Sequence, residues 1–450
     1  MNCQHHMAHR QIVFFDTTLK RCILIFAVVI VALSPLTTAV GQQDSFGGPP
    51  INYMTAGVND RVAQLQAKLE DGSIQLQFDD RQGYLSAVLK ALQISPESQT
   101  LVFSKTSLQL NRISPRMPRA LYFNDDVYVG WCQRGDVLEL AATDAKQGAM
   151  FYTLEQSATG KPKFVRDKGQ CLSCHASGRT QNVPGYLMRS VTTEASGRPV
   201  FSSGTSTTTD RSPFEERWGG WYVTGSHGSM RHMGNALYRE ETEDIDRNVH
   251  ANRTSLKDLF RTASYLTEHS DIVALMVLQH QSQMHNAITA ANYETRQAVY
   301  QSLQMNPILD RPEGFLSDTT KRRIARVSEK VVQHLLFCDE YQLTADVTGT
   351  SAFQSHFEAT GESDSGGRSL RQFDLSKRLF RYPCSYLIYS DAFSGLPDIV
   401  RSKILVRLHG ILVSEDVVEG YEHLSVKDRT AVDEILTATV AEYRALNEVK

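Results

Sequence analysis

Five consecutive residues, Cys171-Leu172-Ser173-Cys174-His175, place two thiols and an imidazole within reach of one another. That spacing suits covalent attachment of a porphyrin. Two thiols add across its two vinyl groups, and the next imidazole reaches the iron as proximal ligand. Other chemistry uses the same pair. Thiol–disulfide exchange wants the first cysteine opening a helix in a βαβ context. Structural zinc wants a second Cys/His pair, whereas Cys132, Cys338 and Cys384 stand alone; a distant histidine would have to complete the set. Lys168-Gly169-Gln170 before the motif and Ala176-Ser177-Gly178-Arg179-Thr180 after it read as loop, so one covalent haem is the leading expectation.

The residue opposite His175 then sets the chemistry. Methionine or histidine there saturates the iron and favours electron transfer, and an open position permits peroxide chemistry. Candidates cluster in His227-Gly228-Ser229-Met230-Arg231-His232-Met233. Met233 follows His175 by 58 residues and is the first choice, with His227 and His232 as alternatives. Met188 is nearer in the chain. His280 is a further alternative, with Met284 one turn on, although a lone histidine on an apolar helical stripe is ordinarily a hydrogen-bonded core residue. In an open-site enzyme, His227 or His232 would shuttle protons, and Arg231 or Arg217 would stabilise developing negative charge.

The N-terminus agrees with chemistry completed after export. Lys20 and Arg21 precede the apolar run Cys22 to Leu33, followed by Ser34-Pro35 and small residues through Gly41. A basic flank, short apolar core and small-residue exit describe a secretory signal. Such a run rises about 18 Å as a helix, short of a hydrocarbon core of about 30 Å, so no stable transmembrane anchor is expected after cleavage. Periplasmic or extracellular residence follows, with membrane tethering by an uncleaved signal as the weaker alternative. The remaining composition is that of an ordinary globular chain: 450 residues, 41% hydrophobic, 22% charged, net charge −3. That charge is too mild and dispersed for a nucleic-acid footprint. In an oxidising compartment, Cys338–Cys384 is the expected disulfide if one forms.

The flanking pattern divides the chain. Residues 42–56 are rich in Gly, Pro and Gln and read as a flexible lead-in. Short helices are expected over Val62 to Leu69 and Gly83 to Leu92. Aromatic and β-branched runs at Thr100 to Phe103, Ala120 to Phe123, Val127 to Trp131, Val137 to Leu140 and Met150 to Leu154 predict strands. Asn124-Asp125-Asp126 and Arg134-Gly135-Asp136 provide turns between them. Thr180 to Asn235 is loop-rich, and Trp218-Gly219-Gly220-Trp221-Tyr222-Val223 suits either a haem wall or a bulged strand. From Ser255 the period becomes helical. Ser270-Asp271 caps a helix reaching about Ser302, with Val273, Val277, His280, Met284 and Ile288 on one stripe. Asp318 opens a second helix whose stripe holds Ile324, Val327, Val331, Leu335 and Cys338. Gly361 to Ser369 reads as a mobile loop. Pro397 starts another helix, and Ser425-x-x-Asp428 starts the last.

Cys171, Cys174 and His175 make the chain resemble the c-type cytochromes, over these five residues and no further. The resemblance implies thioether links from Cys171 and Cys174, iron ligation by His175, and one-electron exchange with a redox partner protein. The flanks depart from the small cytochromes, which place a helix directly before the motif. Di-haem peroxidases are also large and exported, but carry two such motifs where this chain has one. The expectation is an α+β protein: leader over 1–41, lead-in over 42–56, antiparallel β-rich part over 57–160, loop-rich haem c region over 161–250, and a helical domain over 251–450. A mono-haem electron carrier is the first reading. A haem-c peroxidase or oxidase is the second, and a non-haem secreted binding or structural protein the third.

Overall fold

A computed structural model describes residues 46–237 and 246–448; the expected leader and signal fall outside them. Strands β1 (Thr100–Val102), β2 (Arg119–Phe123), β3 (Val127–Trp131), β4 (Val137–Asp144), β5 (Gly148–Glu155) and β6 (Phe164–Arg166) form an antiparallel meander. Strands β7 (Arg189–Val191) and β8 (Thr205–Thr207) pair separately, and β9 (Trp221–Tyr222) adds to the free edge of β1, completing a seven-stranded sheet. Local chemistry sets the hairpins. Asn124 Oδ1 accepts from the Asp126 and Val127 amides at 3.1 and 2.9 Å. Asp144 Oδ1 does the same for Lys146 and Gln147 at 2.9 and 2.8 Å, and Gly148 then supplies the φ of +68° that closes the turn.

Alternation along the strands separates two faces. One carries Tyr122, Val127, Val129, Leu138, Leu140, Met150 and Leu154, all buried. Each such aliphatic or aromatic burial contributes about 1.5–3 kcal/mol. The register puts Leu121, Gly130, Glu139 and Thr153 side by side on the other face, with Tyr128, Ala141 and Phe151 in the next row. There Arg119 and Glu139 pair at 2.6 Å. The guanidinium lies so close over Gly130 that a Cβ would meet it at 2.2 Å.

Helices α1 (Arg61–Glu70), α2 (Leu85–Ala91) and the single turn α3 (Leu172–His175) accompany the sheet. The C-terminal half holds α4 (Ile272–Met305), α5 (Asp318–Leu335), α6 (Phe353–Ala359), α7 (Asp391–Ser394), α8 (Asp398–Leu412), α9 (Val426–Thr439) and α10 (Ala441–Glu448). The molecule is therefore mixed α+β, with the antiparallel sheet in its N-terminal half and the long helices in its C-terminal half. Helix α4 starts at Asp271, whose Oδ1 caps Val273 at 2.8 Å while Oδ2 accepts from Thr350 and Ser351 amides at 2.7 and 2.8 Å. Every residue from Ile272 to Thr289 is buried, so α4 packs on all sides rather than along one stripe. Helix α5 packs on α4 and on α8, and α8 meets α9 and α10. No helix of the described residues is long and apolar enough to cross a membrane.

Several local expectations change. The lead-in is anchored from Phe46 onward: Phe46, Ile51 and Tyr53 are buried, and Tyr53 donates to the Ala149 carbonyl at 2.6 Å. Apolar residues within that Gly/Pro-rich stretch supply the anchorage. Pro397 is the N-cap of α8 rather than its first helical residue. Within Gly361 to Ser369, Asp364 organises the chain by accepting from the Gly366 and Arg368 amides at 2.9 and 2.8 Å. Cys338 and Cys384 are separate buried thiols, not a disulfide; the Cys338 thiol donates to the Gly420 carbonyl at 3.6 Å instead. Trp221 and Tyr222 are strand residues, and the Gly220 carbonyl accepts from both Phe103 and Ser104. That is the bulged strand.

Candidate functional site

The Cys-x-x-Cys-His segment leaves the sheet at the end of β6. Asp167 donates its amide to the Phe151 carbonyl at 2.8 Å, and its Oδ2 accepts from Gly169 and Cys171 amides at 2.8 and 3.1 Å. Those bonds turn the chain into α3. The segment is thus one helical turn and not open loop, with His175 N–H closing on the Cys171 carbonyl at 2.9 Å. Residues three and four apart share a face of such a turn, so Cys171, Cys174 and His175 converge. Both cysteines are free thiols; Cys171 is half-buried and Cys174 exposed. Burial, then the Asp167 carboxylate, pushes the Cys171 thiol up to about 12. Exchange-active dithiols have the opposite perturbation. Among the described residues, no three His, Cys, Asp or Glu side chains gather as a metal cage.

His175 is oriented from two directions. Its Nδ1 lies 2.9 Å from the Gly185 carbonyl, and its ring packs on Phe151 with centroids 4.9 Å apart. A carbonyl only accepts, so Nδ1 carries the proton. Burial lowers the imidazole pKa and favours the neutral ring, which leaves the Nε2 lone pair without a protein partner. This is the arrangement in which an outer hydrogen bond fixes the tautomer of a metal-binding histidine. The Gly185 amide returns to the His175 carbonyl at 2.8 Å. Asn286 of α4 then clamps the neighbouring residue: its Oδ1 accepts from Tyr186 N–H and its Nδ2 donates to Tyr186 O, both at 2.8 Å. A Cβ on Gly185 would meet Asn286 Oδ1 at 2.2 Å. The donor set and its support therefore fit a covalently attached haem ligated through His175 Nε2.

Among the described residues, the candidates for the opposite ligand have their own contacts and none is bonded to Cys171, Cys174 or His175. His227 uses both ring nitrogens, toward the Met230 carbonyl at 2.8 Å and the Asn252 amide at 3.0 Å. His232 lies buried against His227, Phe214 and Trp218; its Nδ1 has no partner, and burial holds its pKa well below the usual range. Met233 Sδ is 3.9 Å from Ser190 Oγ. Met188 and Met284 are buried core residues. Arg231 donates to the Gly228 and Met230 carbonyls, and Arg217 to the Ser212 and Asp210 carbonyls.

His280 has a different setting. Its Nδ1 is 3.2 Å from Asp210 Oδ2, its Nε2 2.8 Å from Ser385 Oγ, and its ring stacks on Phe337 at 4.2 Å. The order Ser–His–Asp is that of a nucleophilic relay, yet Ser385, His280 and Asp210 are 0%, 0% and 4% exposed. No substrate carbonyl reaches Ser385. The three residues instead tie a loop, α4 and the C-terminal segment together.

Sequence reading missed Asp167, Gly185 and Asn286. Asp two residues before Gly169 was the one available signal, because Asp-x-Gly is turn chemistry; nothing local marks Asn286 as a partner of a segment 100 residues away. No protein-family model, curated protein or solved structure matches this chain, so its own residues carry the functional reading.

Proposed function

We propose that this chain is an exported mono-haem c-type cytochrome that exchanges single electrons with a redox partner protein. The observation that carries the reading is the His175 imidazole, fixed through Nδ1 by Gly185 and free at Nε2, on the same turn as two unbonded thiols. Bound there, the haem would supply reversible one-electron chemistry. Cys171 and Cys174 would hold it by thioethers, and His175 would ligate the iron. Gly185 and Asn286 keep the imidazole in one tautomer and one orientation, and Phe151 walls its ring. The basic flank and apolar run before Gly41 support residence outside the cytoplasm. For the opposite ligand, His232 and Met233 remain, since His227 and His280 already engage both nitrogens. A peroxidase-type alternative has less support. Its arginine candidates are bonded to backbone carbonyls, and His227 has no nitrogen free to shuttle a proton.

The test is haem retention on a denaturing gel after co-expression with export and haem-attachment machinery. Wild type keeps haem-linked peroxidase stain at the protein band; the Cys171→Ser, Cys174→Ser double variant loses it. A band that stains equally in both removes the covalent reading.

A further inference from the structure

A second site lies away from α3. The β2–β3 turn, α1, α2 and α6 enclose a cavity of about 480 Å³, within the size range of small-molecule pockets. Three rings line its depth: Phe123 and Phe353 have centroids 5.8 Å apart, Phe353 and Phe357 5.6 Å. One wall is the carboxylate pair Asp125 and Asp126. The two have different partners. Asp125 is paired with Arg371, whose guanidinium is stacked between Phe357 and Tyr386 at 4.6 and 4.4 Å. The Asp126 carboxylate accepts no hydrogen bond from the described residues, and the nearest cation is Arg61 Nε at 3.9 Å on a side chain 53% exposed.

Asp126 is a partly exposed carboxylate, 19% on its side chain, with one loosely placed cation and no donor at hydrogen-bond distance, so it has acceptor capacity for a donor entering the cavity. The charges facing Asp126 are Asp125 on its own turn, Asp391 from α7, Arg61 from α1 and Arg371 from the segment after α6. Burial and the two carboxylates prevail over the arginines, pushing Asp126 up to about 6. Its surroundings therefore favour a positive partner. Arg61 and Lys68, both exposed, line the cavity mouth and disfavour a second positive charge on whatever enters.

We propose that this cavity binds a small organic monoamine, its ammonium group on Asp126 and its apolar body against Phe123, Phe353 and Phe357. Aromatic faces beside an ammonium add cation–π attraction, and the mouth cations select against polyamines. The site is independent of the haem reading.

Calorimetric titration near neutral pH with benzylammonium, benzyl alcohol and benzoate tests it on the full chain. Benzylammonium should bind at least about tenfold tighter than benzyl alcohol, as expected for a charge-assisted hydrogen bond. Asp126→Asn should remove that advantage and leave benzyl alcohol binding unchanged, with a melting temperature no lower than wild type near neutral pH, because a carboxyl raised on folding is least favourable when ionised. Affinity should fall as pH drops below about 6, where Asp126 takes a proton. Ala91→Trp, which places bulk on the cavity wall, should block both ligands. The proposal is overturned if benzylammonium does not bind, if alcohol or benzoate binds as tightly, or if Asp126→Asn leaves the preference intact.

Discussion

His175 and His280 are both held by hydrogen bonds, and they differ by one nitrogen. His280 closes on Asp210 and Ser385 through both of its ring atoms, inside a region with no access. His175 closes on Gly185 through Nδ1 alone, at a turn whose second cysteine is exposed. The first is a tie between chain segments. The second is an imidazole with one ring nitrogen free. The contrast shows that residue type and spacing nominate a metal ligand, while the bond count of the imidazole decides whether it is available.

The contrast is most sharply broken by removing each ring in turn. His175→Ala should abolish the native low-spin absorption spectrum in haem-loaded protein with little change in cooperative unfolding. His280→Ala should do the reverse, costing about 3–5 kcal/mol in denaturant titration because it leaves Asp210 buried without its partner, with the spectrum unchanged. A high-spin spectrum from His280→Ala would place His280 at the iron and end the comparison.

The support for His175 gives the next effect. Gly185→Ala puts a methyl 2.2 Å from Asn286 Oδ1, an overpacking that costs about 1–3 kcal/mol. It should also shift the haem reduction potential, because it disturbs the carbonyl that fixes Nδ1. Asn286→Ala should shift the potential in the same direction without the steric cost. Potentials equal to wild type in both variants would make the Gly185 contact incidental. Of the two remaining candidates for the opposite ligand, the one whose alanine variant, Met233→Ala or His232→Ala, turns the spectrum high-spin is the ligand; no change in either removes both.

The smallest effect is a pH dependence on the His280 side. Glu340 lies near Asp210, and burial pushes its carboxyl up to about 8, against the hydrogen bond from Leu379 N–H. A carboxyl raised on folding contributes most below its ordinary pKa, and that contribution declines as pH rises toward the folded value. Stability of wild type should therefore fall between about pH 5 and pH 8 relative to Glu340→Gln. Parallel curves for the two would remove Glu340 from the titration.

Much of this was readable in the chain. The strands were legible because turn residues such as Asn124 act on their own neighbours, and the Asp271 and Ser425 caps for the same reason. The Cys-x-x-Cys-His segment stands out because its five residues are contiguous. What lay hidden depends on distant pairing. Cys338 and Cys384 look like a pair by elimination, yet each is buried separately. Helix α4 displays one apolar stripe in its sequence, but it is covered on every side, so its buried Asn286 and His280 need partners that no periodicity names. Gly185 is an ordinary loop glycine until α4 is placed against it.

The central claim is covalent haem on Cys171 and Cys174 with His175 at the iron. A pyridine haemochrome spectrum of denatured protein, matured alongside a control cytochrome, reads it directly. The account predicts the α-band position of a porphyrin whose two vinyl groups are saturated, at one haem per chain. A band at the position of unmodified haem, or no band while the control is fully loaded, would contradict it.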